Sequence, residues 1–361
     1  LKINDIALFI YKKFEKSPFT RSTLMSNAIL WRPQKNQKVQ CMACSHFCVI
    51  DPGERGLCGV RENREGEMHT LVRNKVAALN LDPIEKKPLF HFLPGTLSLS
   101  LGTMGCNLSC LFCQNYSLSQ SPRQNKAIEG ETITPDRIIS LAGEYFAASI
   151  SYTYSEPTVF IELVMDTARP AQEKGLKNII VSNGFQSPDC LREMNGYIDA
   201  ANIDLKAFTE KFYQEYCGAK LKPVLKNLTK IKEMGWWLEV TTLIIPGLND
   251  SREELKQMAE FIFRELGPDT PWHISRFHPT FKMTSIKSTP VETLENAWAI
   301  GREQGLKFVY TGNVPGHRAE NTYCPACQKQ VIKRTGFEIK SSHIKDQCCS
   351  FCGEKISGVW T

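Results

Sequence analysis

The stretch SLSLGTMGCNLSCLFCQNY, residues 98–116, joins a short alternating apolar run to three closely spaced cysteines, Cys106, Cys110 and Cys113. The run over 97–101 has the period-two pattern of a strand, and Gly105 permits a tight turn after it. Three thiolates at C-x3-C-x2-C spacing on one loop can ligate three corners of an iron–sulfur cubane. The fourth iron then has no protein ligand, and an open metal position is where catalytic sites bind what they act on. A ferredoxin-type electron carrier needs a fourth cysteine in or near the run, and none occurs between Cys113 and Cys190. A three-cysteine zinc site is the competing reading of the spacing.

Outward from this loop, residues 96–316 alternate strand-like and helix-like patterns. Strands are predicted over 97–101, 149–154, 178–182, 201–205, 238–245, 272–275 and 307–310. Helices are predicted between them, over 135–146, 158–174, 223–234, 251–266 and 291–304. Thr134 and Pro135 give the first helix an N-cap and a favoured first residue, and Gly175, Gly235 and Gly305 follow helices as C-terminal caps do. The alternation predicts an α/β fold with a parallel sheet flanked by helices. Six or seven units point to a partial or full (β/α) barrel with chemistry at the C-terminal strand ends. A doubly wound open sheet is the alternative, weakened because no glycine-rich dinucleotide fingerprint follows the first strand. Residues 1–95 form an N-terminal cysteine-rich region and 317–361 a C-terminal one.

Twelve of the fourteen cysteines fall into three groups, and only Cys190 and Cys217 stand alone. Two- and three-residue gaps suit metal ligation better than disulfides, which predicts a reducing cytoplasmic compartment. Cys324, Cys327, Cys349 and Cys352 form two C-x2-C knuckles 21 residues apart, the pattern of a zinc ribbon. An iron–sulfur cluster is the competing reading, and Cys348 is a spare thiol beside the set. Cys41, Cys44, Cys48 and Cys58 supply four more thiolates with His46 interleaved. Zinc is the first reading there and a second, electron-relaying [4Fe-4S] cluster the rival, because thiolates serve both metals. His46 reads as a neighbour of that site rather than a ligand.

The net charge of +6 permits an anionic or nucleic-acid partner without requiring one. No apolar run is long enough for a membrane span. Residues 1–16 carry Asp5 and Glu15 and no small-residue cleavage site, so they do not read as a signal peptide.

The cysteine loop, with Phe112 directly before Cys113, resembles the signature of the radical SAM superfamily. That resemblance implies that Cys106, Cys110 and Cys113 hold a [4Fe-4S] cluster, with Phe112 near the adenine of S-adenosylmethionine (SAM). It also implies reductive cleavage of SAM to a 5′-deoxyadenosyl radical. Glu156, in SYTYSEPT, resembles the superfamily's Gly-Gly-Glu element, with Tyr154 and Ser155 in place of the glycines. Ser182 and Asn183 resemble the ribose-binding corner. Asp204 and Lys206 lie two apart on one strand and so share a face; Lys206 can pair with a carboxylate. His278 resembles a SAM-contacting histidine of glycyl-radical activases. For each, an ordinary structural role is the alternative.

CNLSCLFCQN, SYTYSEPT, NIDLKAF, EVTTLIIPGLND, WHISRFHP and YTGNVPG occur in this order between the two flanking cysteine groups. Together they look like the radical SAM enzyme of the AmmeMemoRadiSam system, a relative of pyruvate formate-lyase activating enzyme. The resemblance implies partners of AMMECR type and Memo type and a reductant such as ferredoxin or flavodoxin. Glycyl-radical activases with auxiliary clusters carry the extra cysteines soon after the triplet, whereas here they lie before residue 60 and after residue 323. The expected function is therefore radical modification of a substrate presented with partner proteins. A glycyl-radical activase, an RNA-modifying enzyme and a non-catalytic metal-bound scaffold are the alternatives.

Overall fold

The computed structural model describes residues 27–124 and 127–360; the segment 1–16 lies outside them. The chain forms two units, each with its own run of parallel strands.

The first unit takes the described residues up to Asp82, with Leu97–Asn107 and Asn115–Asp199. Its strands β1 (Ala78–Pro83), β2 (Leu97–Gly102), β3 (Ser149–Tyr152) and β4 (Lys177–Ser182) lie side by side in that order. β3 pairs parallel with both β2 and β4. Alternation along β2 puts Leu99 and Leu101 on one face and Ser98 and Ser100 on the other, and all four are buried. The helices are α1 (Pro135–Glu144), α2 (Ile161–Glu173) and α3 (Pro188–Met194). Thr134 Oγ1 caps α1 by accepting from Arg137 N at 3.3 Å. α2 buries Leu163, Val164 and Ala168; full burial of a leucine or valine is worth about 1.5–3 kcal/mol.

β1 is absent from the sequence reading. Ala77 N, at its start, donates to Gly102 O at the end of β2, at 2.8 Å, so β1 runs antiparallel. With β1 on one side and β3 on the other, β2 has no edge left for a closing strand. The strand order of each unit follows a partial series of β/α steps.

Before β1, short antiparallel strands at Trp31–Pro33, Val39–Cys41 and Val49–Ile50 form one small sheet. Arg61–Arg64 and Glu67–Thr70 form a hairpin. Val39, Cys41, Ala43, Ile50 and Met68 are their shared core.

The second unit takes Pro83–Thr96, Leu108–Gln114 and Ala200–Thr361. Its strands β5 (Ala200–Asp204), β6 (Trp237–Ile244), β7 (Trp272–Arg276) and β8 (Val309–Gly312) pair parallel in chain order. α4 (Leu221–Glu233), α5 (Arg252–Phe261) and α6 (Val291–Glu303) lie between them in sequence. Glu239, fully buried on β6, accepts from Phe90 N at 3.0 Å, His91 N at 2.8 Å and Trp237 Nε1 at 2.9 Å. Its other contact is His273 Nε2 on β7, at 2.6 Å. A buried carboxylate with this many donors is satisfied rather than costly, and it fastens residues 83–96 to the sheet.

The C-terminal strands Thr322–Tyr323, Gln330–Thr335 and Glu338–Ser342 form an antiparallel sheet. Cys324, Val331 and Ile356 share a core with Phe90, Phe308 and Tyr310, so this cysteine-rich segment packs directly on β8. Among the described residues no helix is long and apolar enough to cross a membrane.

Candidate active site

In the first unit, Cys106 follows β2 and meets residues from the ends of β3 and β4. Asn183 is the hub. Its side-chain Nδ2 lies 3.7 Å from Cys106 Sγ and donates to Asn107 Oδ1 at 2.7 Å. Its backbone N–H donates to Glu156 Oε2 at 2.9 Å. Ser182 Oγ donates to Glu156 Oε1 at 2.8 Å, and Thr158 adds its N–H and hydroxyl to the same oxygen. Burial raises the pKa of Glu156 above its ordinary value, while Asn183, Thr158 and Ser182 pull it back by bonding the charged form. Glu156 is thus turned into the protein, where it shapes the corner made by Ser182 and Asn183.

Tyr154, in place of a glycine of the resembled element, has a φ of +66°, the left-handed conformation that glycine favours. A bulky residue there is strained. Its hydroxyl is tied down by a short bond of 2.5 Å to Asp82, with Asn80 Nδ2 donating to it at 3.1 Å. Tyr154 thus holds a glycine-like backbone conformation without being glycine. Gly105 has φ +99°, and a Cβ there would lie 2.7 Å from Val60 Cγ1. The cysteine turn requires glycine on both counts.

The second unit carries Cys110, Phe112 and Cys113 on its segment Leu108–Gln114. That segment is anchored by Ser109 N to Cys217 O at 2.8 Å and Leu111 N to Tyr216 O at 2.9 Å. Asp204 and Lys206, at the end of β5, pair with each other at 2.8 Å, and Lys206 Nζ lies 5.9 Å from the centre of the Phe112 ring. Burial works to lower the Lys206 pKa, but Asp204 together with the Cys110 and Cys217 thiols outweighs it, and the net shift is upward. His278 is exposed and bonds Ser288 Oγ at 3.0 Å. Its loop reaches the cysteine segment through Lys282 N to Leu111 O, at 3.0 Å.

Three contributors were not legible as such. Asn107 lies between two cysteines of the signature, Arg123 donates to Cys106 O at 2.9 Å, and the thiol of Cys217 bonds that of Cys110, which with burial pushes its pKa up. A lone cysteine and a lone arginine carry no spacing signal; only the fold brings them to the loop.

At the C-terminus, Cys324, Cys327, Cys349 and Cys352 place all four thiols within 4.8 Å of one another. The Sγ–Sγ distances are 3.6 Å for Cys324–Cys352 and 3.8 Å for Cys327–Cys349. Cys348 is outside this set. At the N-terminus, Cys41, Cys44, Cys48 and Cys58 line one cavity with His46 and Arg61.

A model of the radical SAM superfamily matches residues 101–262, which include Cys106, Cys110 and Cys113. The chain carries a radical SAM domain over residues 101–262. This radical SAM enzyme is similar to the uncharacterized protein MJ0808 of Methanocaldococcus jannaschii, 44% identical over 337 residues covering 93% of this chain and 100% of that one. It is also similar to the putative glycyl-radical enzyme activating enzyme MJ1227 of the same organism, 27% identical over 177 residues, 47% of this chain and 70% of that one. Among solved structures it is similar to Streptococcus suis SuiB, with a TM-score of 0.48 and 17% identity, over 64% of this chain and 52% of that one.

The superfamily implies a [4Fe-4S] cluster and SAM. The residues present fit them. The signature cysteines form no disulfide. Next to Cys106, the buried Asn107 Nδ2 has no partner within the protein, and neither has the buried Ser155 Oγ beside Glu156. Buried donors of this kind are costly unless a bound group satisfies them.

Proposed function

We propose that this radical SAM enzyme cleaves SAM reductively and directs the radical to a substrate presented by partner proteins. The observation that carries the reading is the hydrogen-bonded path from Cys106 through Asn183 to Glu156 and Ser182. Cys106, Cys110 and Cys113 would hold the cluster. With cluster and SAM bound, the pair supplies a 5′-deoxyadenosyl radical that takes a hydrogen atom from substrate. Asn183 keeps an N–H donor on the Cys106 sulfur, and Glu156 fixes the Asn183 backbone so that the donor does not swing away. Phe112 offers an apolar face for a purine. Lys206 offers a fixed positive charge, and Asp204 keeps it protonated.

The AmmeMemoRadiSam assignment, with partners of AMMECR type and Memo type and a flavodoxin or ferredoxin as reductant, rests on the ordered motifs quoted above. Zinc in the C-terminal set is supported by its thiol spacing: a tetrahedral ion with Zn–S of ~2.3 Å sets its thiolates about 3.8 Å apart. A glycyl-radical activase is the second reading, favoured by the similarity to MJ1227.

Anaerobically reconstituted protein incubated with SAM and dithionite should release 5′-deoxyadenosine. No product from protein with a demonstrably intact cluster would sink the reading. Under the activase reading, a partner protein should show a glycyl doublet by electron paramagnetic resonance after turnover, and a silent spectrum rules it out.

A further inference from the structure

The two flanking cysteine groups hold their thiols differently. The C-terminal four lie within 4.8 Å of one another. Among the described residues this is the one group of three or more His, Cys, Asp or Glu ligand atoms gathered so closely. No three of Cys41, Cys44, Cys48 and Cys58 meet that spacing, although all four line the same cavity. One tetrahedral ion draws four thiolates to about 3.8 Å from each other. A cubane puts four irons and four sulfides between its cysteines and holds them much farther apart.

The wall of this cavity presents a buried cation to the thiols. Arg61 is 1% exposed, its NH1 lies 3.5 Å from Cys41 Sγ, and its Nε is buried without a partner. Its other terminal nitrogen pairs with buried Glu162. A buried arginine needs compensation on every side; Glu162 and the Ile29 carbonyl, 3.1 Å from the same nitrogen, leave Nε unmet.

The cavity is also wired to Cys106 within the same unit. His46, two residues after Cys44, donates from Nε2 to Asn107 O at 2.9 Å, and Asn107 adjoins Cys106. Cys44 forms a backbone bridge with Gln186, three residues after Asn183, and Ser45 Oγ donates to Gln186 O at 2.8 Å. The loop that bears Cys44 is thus laced to Asn107 and to the segment that follows Asn183.

We infer that Cys41, Cys44, Cys48 and Cys58 hold a second [4Fe-4S] cluster, which passes electrons to the cluster at Cys106 through the His46–Asn107 contact. One electron enters from a low-potential flavin or iron–sulfur protein, reduces the N-terminal cluster by one, and leaves toward Cys106. No bond forms or breaks and no proton moves. The relay step rests on the SAM-cleavage reading; the cluster itself does not.

The test begins with the triple variant Cys106→Ala, Cys110→Ala, Cys113→Ala, purified without oxygen, so that failure of the SAM reading cannot affect the answer. It should still bind about four irons and four sulfides per chain, with visible absorption bleached by dithionite. Adding Cys44→Ser and Cys58→Ser should abolish this iron. Zinc in place of iron, a single iron, or iron that survives the added serines would each overturn the proposal. If the added serines unfold the protein, metal and sulfide analysis of the triple variant still decides. For the relay, Cys44→Ser with Cys58→Ser in the native-triplet enzyme should slow flavodoxin-driven reduction of the Cys106 cluster at least tenfold. Reduction by dithionite, a small diffusible donor, should change far less. An unchanged flavodoxin rate would overturn the relay.

Discussion

Asn183 holds two neighbours of the signature loop at once: its side chain donates to Asn107 Oδ1 at 2.7 Å and its backbone to Glu156 Oε2 at 2.9 Å. Asn183→Asp replaces the Nδ2 donor near Cys106 with an oxygen that repels a thiolate. Loss of a hydrogen bond to a charged group costs about 1.5–3 kcal/mol. 5′-Deoxyadenosine formation should fall by roughly 10- to 100-fold, with the iron content of the signature site retained. Unchanged turnover would show that the contact is incidental.

Glu156→Gln keeps the shape but turns an amide toward donors that need an acceptor. Ser182 Oγ, Asn183 N and Thr158 then compete for one oxygen. SAM affinity, read by equilibrium dialysis of the cluster-loaded protein, should weaken by about tenfold or more, while Glu156→Asp should recover little because it is one methylene short. Equal affinity in all three proteins would place SAM elsewhere.

Gly105→Ala should prevent signature-cluster assembly. The new Cβ meets Val60 and the backbone sits at φ +99°, at a cost of about 1–3 kcal/mol. Iron per chain should drop by the share of one cluster, measured against Gly143→Ala, whose Cβ would meet nothing within 4 Å. Equal iron in the two variants would refute the steric argument.

His91 is buried with Nδ1 2.7 Å from Ser357 O and Nε2 2.5 Å from Tyr310 Oη. A carbonyl only accepts, so Nδ1 carries the proton and Nε2 accepts from the tyrosine. Burial pushes its pKa down from 6.5 to about 4, against the pull of Glu239. The unfolded chain therefore takes up this proton more readily than the folded one. The stabilisation is complete above 6.5 and is lost as pH falls toward 4, by roughly 3 kcal/mol. In urea titrations, His91→Gln should be less stable than the parent at neutral pH and should lose less on acidification through this window. Parallel pH profiles would contradict the assignment.

Prolonged chelation should remove about one zinc per chain from the C-terminal set and lower the melting temperature without touching iron. Cys324 and Cys349 share a core with Tyr310 on β8, so the loss should be felt in the second unit, as faster amide exchange at β8. Protein that never carried zinc there would fail this test.

The strand–helix series was legible because its cues are local. Ser251 caps α5, with Glu254 N donating to its hydroxyl at 3.2 Å, and all seven expected strands form. β1 was not legible: Ala78–Pro83 holds Asn80 and Asp82, and it is a strand only because β2 offers it an edge. The signature cysteines stood out by spacing, whereas the inward turn of Glu156 did not, since only folding brings Ser182 and Asn183 to it. His46 was read as a bystander with a metal-site neighbour; its donation to Asn107 O joins sequence positions that nothing local connects.

Glu162 sits on α2 and its charge is met by Arg61, from the hairpin beside the N-terminal cysteines. Both side chains are almost fully shielded from water, so whatever anion balances the rest of Arg61 also governs how well α2 stays seated. If the Cys41 loop holds a metal as proposed, air that strips it would do more than disarm the protein. It would leave the Arg61–Glu162 pair beside an emptied pocket under α2, and oxidative damage would register first as a loss of shape.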